Sequence, residues 1–119
     1  HTVPLTVRSR GMFDAAFFAV MKPTAYFVSV GRGKSTVTDD LVAALESGEI
    51  RGEGLDVTDP EPLPKGHPLW TMPRVIITPH TGGRSDRGRD RLFLLVQENL
   101  RRYVAGEPLL SVVDTERGY

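Results

Sequence analysis

The sequence contains no cysteine. That absence excludes disulfides and thiolate chemistry and suits a reducing compartment, so a cytoplasmic location is expected. Long apolar runs are also missing. The longest, Ala15 to Met21, is far too short to cross a bilayer, and no basic start with a cleavage site precedes it. Nor is there an excess of either charge, since 15 basic side chains balance 15 acidic ones. No whole-molecule field draws the chain to nucleic acid or to an anionic membrane, and neither is expected as a partner. No metal-ligand spacing stands out, and no metal is expected. The 119 residues are 39% hydrophobic and 25% charged, an ordinary globular composition with enough apolar material for one core.

Along the chain, short apolar runs alternate with helical patterns. His1 to Thr6 reads as the end of a buried strand, which predicts that the chain continues a longer sequence. Asp14 is placed to cap a helix over Ala15 to Met21, stopped by Pro23. Tyr26 to Val30 is β-prone and almost wholly apolar, the pattern of a strand covered on both faces, and it runs directly into Gly31-Arg32-Gly33. Thr38 is expected to cap a second helix with Leu41, Val42 and Leu45 on one face and Gly48 as its stop. A short strand around Gly54 to Val57 follows, then a loop carrying five prolines between Pro60 and Pro73. Val75 to Thr78 is a third buried-type strand, closed by Pro79-His80-Thr81-Gly82-Gly83. A final helix from near Ser85 to about Ala105 carries Leu92, Phe93, Val96, Leu100 and Tyr103 in one stripe. The order predicts an α/β fold with a parallel sheet, in which ligands bind outside the carboxyl ends of the strands.

The chemically interesting residues fall at those strand ends. Arg32 has the planar fork that clamps a carboxylate through two parallel hydrogen bonds. His80 is suited to exchange a proton with an alcohol or ketone oxygen. Glu61, if bonded to the other ring nitrogen, would fix the imidazole tautomer. Asp56 can accept a hydrogen bond from a carboxamide such as that of nicotinamide. Gly31, Gly33, Gly82 and Gly83 permit close approach of a flat ligand or a turn with positive φ. Each also has a plainer reading: Arg32 as a loop brace, Glu61 as a solvated loop carboxylate, Asp56 as a loop cap, the glycines as ordinary turn residues. Trp70 reads as a packing anchor and His67 as loop structure. The three side chains together suit a substrate with a carboxylate beside an alcohol or ketone.

The motif order resembles the D-isomer-specific 2-hydroxyacid dehydrogenases. The resemblance rests on VPLT from Val3, MKPTAYFVSVGRG from Met21, GLDVTDPEPLP from Gly54, HPLW from His67, ITPHTGG from Ile77 and ENLRRYVAGEPLLSVVD from Glu98. It implies part of a Rossmann-like doubly wound sheet with a long C-terminal helix: the second half of a partial NAD(P)-binding domain over about residues 1–84, then helix and tail over about 85–119. It also implies Arg32 as the substrate-binding arginine, Glu61 as the histidine's partner and His80 as the acid/base. Pro4, Thr6, Val30, Gly31, Arg32, Asp56, His80, Gly82 and Gly83 match positions around the nicotinamide of NAD or NADP, with NAD favoured.

The implied substrate is a small 2-hydroxyacid or 2-ketoacid, and the implied assembly a homodimer of the full-length parent. A non-catalytic, cofactor-sensing or scaffold protein of the same fold is the alternative, although scaffolding alone imposes no need for the trio. Two departures matter. No GxGxxG follows a strand, so the phosphate-binding half and the substrate domain are expected to precede His1. Arg84 puts a bulky charge after Gly83 where a small residue is expected. The helical stripe from Leu92 to Tyr103 would then lack its usual cover, and the isolated chain is expected to be sticky, self-associating or partly molten.

Overall fold

The structure is a computed structural model that describes residues 1–118. The chain divides into two compact units, His1–Thr81 and the segment from Gly82 onward. The first holds α1 (Ala15–Ala19), β1 (Tyr26–Ser29), α2 (Thr38–Ser47), β2 (Gly52–Leu55) and β3 (Val75–Ile77), with short 3-10 turns at Gly33–Ser35 and Pro68–Trp70. The second holds α3 (Gly88–Ala105). Among the described residues no helix is long and apolar enough to cross a membrane.

Local chemistry sets most element ends. Asp14 Oδ1 accepts from the Phe17 amide at 3.0 Å, which satisfies one of the donors left open at the start of α1. Asp39 and Asp40 lie in the first turn of α2, where acidic groups favour the positive end of the helix. Gly48 ends that helix at φ 78°, a left-handed conformation that costs glycine little. The expectation that Thr38 caps α2 is corrected. Val37 occupies the capping position without a side-chain bond, and Thr38 is the first helical residue. Its hydroxyl donates instead to the Asp59 carbonyl at 2.6 Å, which competes successfully for the proton.

The three strands form one parallel sheet in the order β1-β2-β3. Phe27 pairs with Glu53 and Ser29 with Leu55; on the other side of β2, Glu53 pairs with Val75 and Leu55 with Ile77. β2 ends two residues earlier than its sequence pattern indicated, although the Asp56 amide still bonds the Ser29 carbonyl at 2.9 Å. Phe13, Phe18, Phe27, Leu41 and Leu55 build the core on one face, where Phe18 meets Phe27 edge-on at a centroid distance of 5.3 Å.

The strands are not covered on both faces, contrary to the sequence expectation. Val28 is 53% exposed and Ile76 67%, because within this unit the core occupies only one side of the sheet. The predicted strand at the N-terminus is likewise reduced to two backbone bonds, in which His1 donates to Val28 and accepts from Val30 along the edge of β1.

In the second unit α3 begins at Gly88 rather than near Ser85. Glycine is a poor helix former, and Arg87 before it provides no capping bond. Glu98 receives hydrogen bonds from Arg101 at 3.0 Å and Arg102 at 2.7 Å, and these guanidinium groups pull its carboxyl down to about 2. No residue of α3 is buried, and Leu92, Phe93 and Leu100 are each 61% exposed.

Glu53 is the anomaly of the core. It lies on the packed face of the central strand at 2% exposure, with neither carboxyl oxygen hydrogen-bonded among the described residues. Burial pushes its carboxyl up to about 7. The folded state therefore holds a proton that the unfolded chain releases near pH 4.5. Stability is greatest below that value, falls as pH rises to about 7, and stays low once the carboxylate is charged. The difference is roughly 3 kcal/mol. Urea midpoints should drop from about pH 5 to about pH 8 in the wild type, and Glu53→Met should flatten the profile; an equal slope in both proteins refutes this account.

Candidate active site

The carboxyl ends of the three strands carry the residues of interest. Beyond β1, Val30 is 44% exposed and Arg32 projects from an extended residue, φ −141°, between two buried glycines. The glycines are required by close approach of the chain itself. A β-carbon on Gly31 would lie 2.8 Å from the Val3 carbonyl oxygen, and one on Gly33 only 1.8 Å from that of Thr58. Arg32 Nη1 donates to the Gly31 carbonyl at 2.8 Å, and among the described residues no carboxylate forms an ion pair with it. Pro4 and Thr6 belong to a turn closed by the buried Ser9, whose hydroxyl donates to the Pro4 carbonyl at 2.6 Å.

Beyond β2, Asp56 is buried. Its Oδ1 accepts from the Thr78 hydroxyl at 2.5 Å and from the Thr81 amide at 2.8 Å. The carboxylate expected to face a carboxamide thus also braces the turn after β3. That turn carries His80 at φ 53°, a left-handed conformation unusual for a residue with a side chain, and the His80 amide bonds the Thr78 carbonyl at 3.0 Å around Pro79. Strain of this kind persists only where surrounding contacts over-determine it, and it concentrates at functional positions.

Glu61 reaches His80 from the proline-rich loop after β2. Its Oε1 lies 2.7 Å from His80 Nδ1, with both side chains a little over two-fifths exposed. A carboxylate can only accept, so the contact assigns a proton to Nδ1 and leaves Nε2 as the nitrogen that can take up or give back a proton. The other oxygen of Glu61 is 3.4 Å from the Thr58 amide. Beside this pair lies a cleft of about 80 Å³ bounded by Asp56, Thr58, Glu61, Leu63, Trp70 and Thr78. A larger depression of about 460 Å³ between α1 and α2 is lined mainly by alanines and contains no histidine. Chemistry, not size, selects the strand-end cleft.

The structure therefore brings Glu61 and His80 together and sets Arg32 at the end of the adjoining strand system, without a side-chain contact between Arg32 and the pair. Gly82 and Gly83 follow Thr81 in the chain and open the second unit, where both are exposed, as is Arg84. Trp70 is not the packing anchor expected from its size. It is half-exposed, and its indole N–H holds the Pro64 carbonyl at 3.0 Å, so it ties the loop rather than filling the core. His67 is loop structure, accepting from the Leu69 amide through Nδ1. Thr58 and Thr78 escaped the sequence reading. Their only signal was a hydroxyl or amide near a strand end, which carries no charge to mark it.

Residues 1–82 match the family model of the D-isomer specific 2-hydroxyacid dehydrogenase, NAD binding domain. A human glyoxylate reductase/hydroxypyruvate reductase is 45% identical over 90% of the chain. The chain spans 30 to 38% of the length of the curated relatives it matches. Among solved structures, a D-isomer specific 2-hydroxyacid dehydrogenase from Xanthobacter autotrophicus Py2, in complex with NADPH and MES, superposes with a TM-score of 0.91 at 42% identity. That match covers 99% of this chain and 48% of the other. An NADPH-dependent glyoxylate/hydroxypyruvate reductase from Sinorhizobium meliloti, in complex with NADP and sulfate, gives 0.89 at 37% identity, covering 99% and 38%. The parallel sheet is thus part of a Rossmann-like fold. On the sequence match and the superposition together, the chain belongs to the D-isomer specific 2-hydroxyacid dehydrogenase family, within its NAD-binding domain.

Proposed function

We propose that the chain supplies the acid/base edge of an NAD(P)-dependent oxidoreductase that interconverts a short 2-ketoacid and its 2-hydroxyacid, with glyoxylate and hydroxypyruvate as the first substrates to test. The observation that carries this reading is the 2.7 Å contact between His80 and Glu61 at a strand end, with Arg32, three residues past β1, free of carboxylate partners among the described residues.

The residues present suit the nicotinamide end of a dinucleotide, where Val30 offers an exposed apolar side chain for a flat ring to lie against. The solved relatives named above hold NADPH or NADP, so the NAD preference suggested by the sequence finds no support among them. The bound dinucleotide would supply or accept the hydride. Each other task falls to the chain. Arg32 binds the substrate carboxylate through its guanidinium fork and thereby orients the adjacent carbon. His80 gives a proton from Nε2 to the ketone oxygen during reduction and takes it back during oxidation. Glu61 holds the ring by Nδ1, sets the tautomer and stabilises the charged imidazole when it forms, the task that a buried carboxylate performs in hydrolytic triads.

The test joins this chain to the remainder of the Sinorhizobium meliloti reductase and follows NADPH oxidation with glyoxylate, using NADPH binding to confirm assembly. His80→Gln should lower kcat about 10²- to 10⁴-fold while NADPH affinity holds. Undiminished turnover in that variant ends the acid/base assignment. Arg32→Lys keeps the charge but loses the two-pronged geometry, and kcat/KM for glyoxylate should fall roughly 10- to 100-fold. An unchanged kcat/KM would remove Arg32 from the substrate site.

A further inference from the structure

Glu61 reaches His80 from a loop whose prolines provide no amide donors and whose Thr58 amide makes only a long contact with its carboxylate, 3.4 Å, so its placement depends on how the loop itself is held. A seam beneath residues 58–61 holds it. Gly33 admits the Thr58 carbonyl at a distance no β-carbon would allow, which presses the loop against the turn after Arg32. Next along the loop, the Thr38 hydroxyl donates to the Asp59 carbonyl at 2.6 Å, and the Thr58 hydroxyl donates to the Pro60 carbonyl at 2.9 Å. The space left among Gly33, Thr38, Leu41, Val57 and Asp59 is about 10 Å³, the least that could admit a water to replace a lost hydroxyl. Thr38 does this while α2 begins without any side-chain cap, so its hydroxyl serves the loop and not the helix.

We propose that Thr38 is a positioning residue for Glu61: by fastening the Asp59 carbonyl to the start of α2, its hydroxyl aims the Glu61 carboxylate at His80 Nδ1. The proposal rests on the reading of Glu61 and His80 as a working pair. Torsional restriction makes the coupling direct. Pro60 and Pro62 lock their own φ angles and restrict the residues before them, Asp59 and Glu61. A shift at the Asp59 carbonyl is therefore carried along the loop to Glu61 with little slack to absorb it.

The experiment compares the full chain with Thr38→Val, Thr38→Asp, Thr38→Ser and Glu61→Leu, using long-range nitrogen–proton correlation spectra of the His80 ring at neutral pH together with thermal melts. Valine has the shape of threonine without the donor. Aspartate suits the first turn of a helix but cannot donate to a carbonyl, so it preserves α2 if valine unfolds the protein. Serine keeps the hydroxyl. The wild type and Thr38→Ser should show the Nδ1–H form. Thr38→Val and Thr38→Asp should lose that signature and move toward the Nε2–H form, as should Glu61→Leu, which has no acceptor for Nδ1–H. A Thr38→Val or Thr38→Asp protein that melts earlier yet keeps the Nδ1–H signature has only a stability defect, and the positioning role falls. Loss of the signature in Thr38→Ser overturns it as well. If Glu61→Leu, which removes the acceptor, leaves the ring unchanged, the pair itself is refuted and the proposal falls with it.

Discussion

One hydrogen bond organises this strand-end site: His80 Nδ1 to Glu61 Oε1, 2.7 Å, between side chains supplied by two different loops. An imidazole in water exchanges between tautomers, and a ring that must move a proton at one nitrogen needs the other nitrogen committed. The fold meets that need from both directions. On the histidine side, Asp56 grips the hydroxyl of Thr78 and the amide of Thr81 and so encloses the turn that holds His80 at positive φ. On the glutamate side, contacts from Gly33 and Thr38 hold the proline loop. The pair is two-fifths exposed, so screening by water keeps its direct contribution to stability small. Its value lies in orientation.

The same economy leaves the first unit incomplete as a folded body. Parallel strands are normally covered on both faces, yet here Val28 and Ile76 lie open on one face while Glu53 is buried on the other without a hydrogen-bond partner among the described residues. An uncompensated carboxyl on the packed face and apolar side chains on the open face both work against stability. The aromatic contacts of Phe13, Phe17, Phe18 and Phe27 and the fully buried Leu41 offset them. The unit thus depends on a small aromatic core to support the strand ends that lead into the loops of Asp56, Glu61 and His80.

Much of this was legible in the residues. Apolar runs interrupted by glycine located β1 and β3, helical periodicity located α2 and α3, and Gly48 stops α2 in left-handed conformation as its position indicated. Periodicity reports which residues avoid water in a completed fold, and that is why it overstated burial of Val28 and Ile76. The roles of hydroxyls were opaque for a different reason. Whether a threonine caps its own helix or bonds a carbonyl 21 residues away depends on the tertiary approach of two segments, which no local pattern encodes. Glu53 was invisible because a glutamate between two glycines reads as an ordinary polar residue until strand pairing turns it into the core.

Asp56 performs the loop-capping task that one of its two sequence readings allowed. A buried carboxylate is costly unless donors reach it, and here two donors converge on one oxygen. Those donors come from either side of His80, so the bonds that make burial of Asp56 tolerable are also those that hold the left-handed turn closed. Satisfying one buried charge and enforcing one strained dihedral become the same act. Each supports the other: without the turn the carboxylate would face an apolar strand end with fewer partners, and without the carboxylate the imidazole would relax to a more common backbone conformation. Position at the end of β2 thus matters as much as charge, because only there can a single side chain reach both ends of the turn that follows β3.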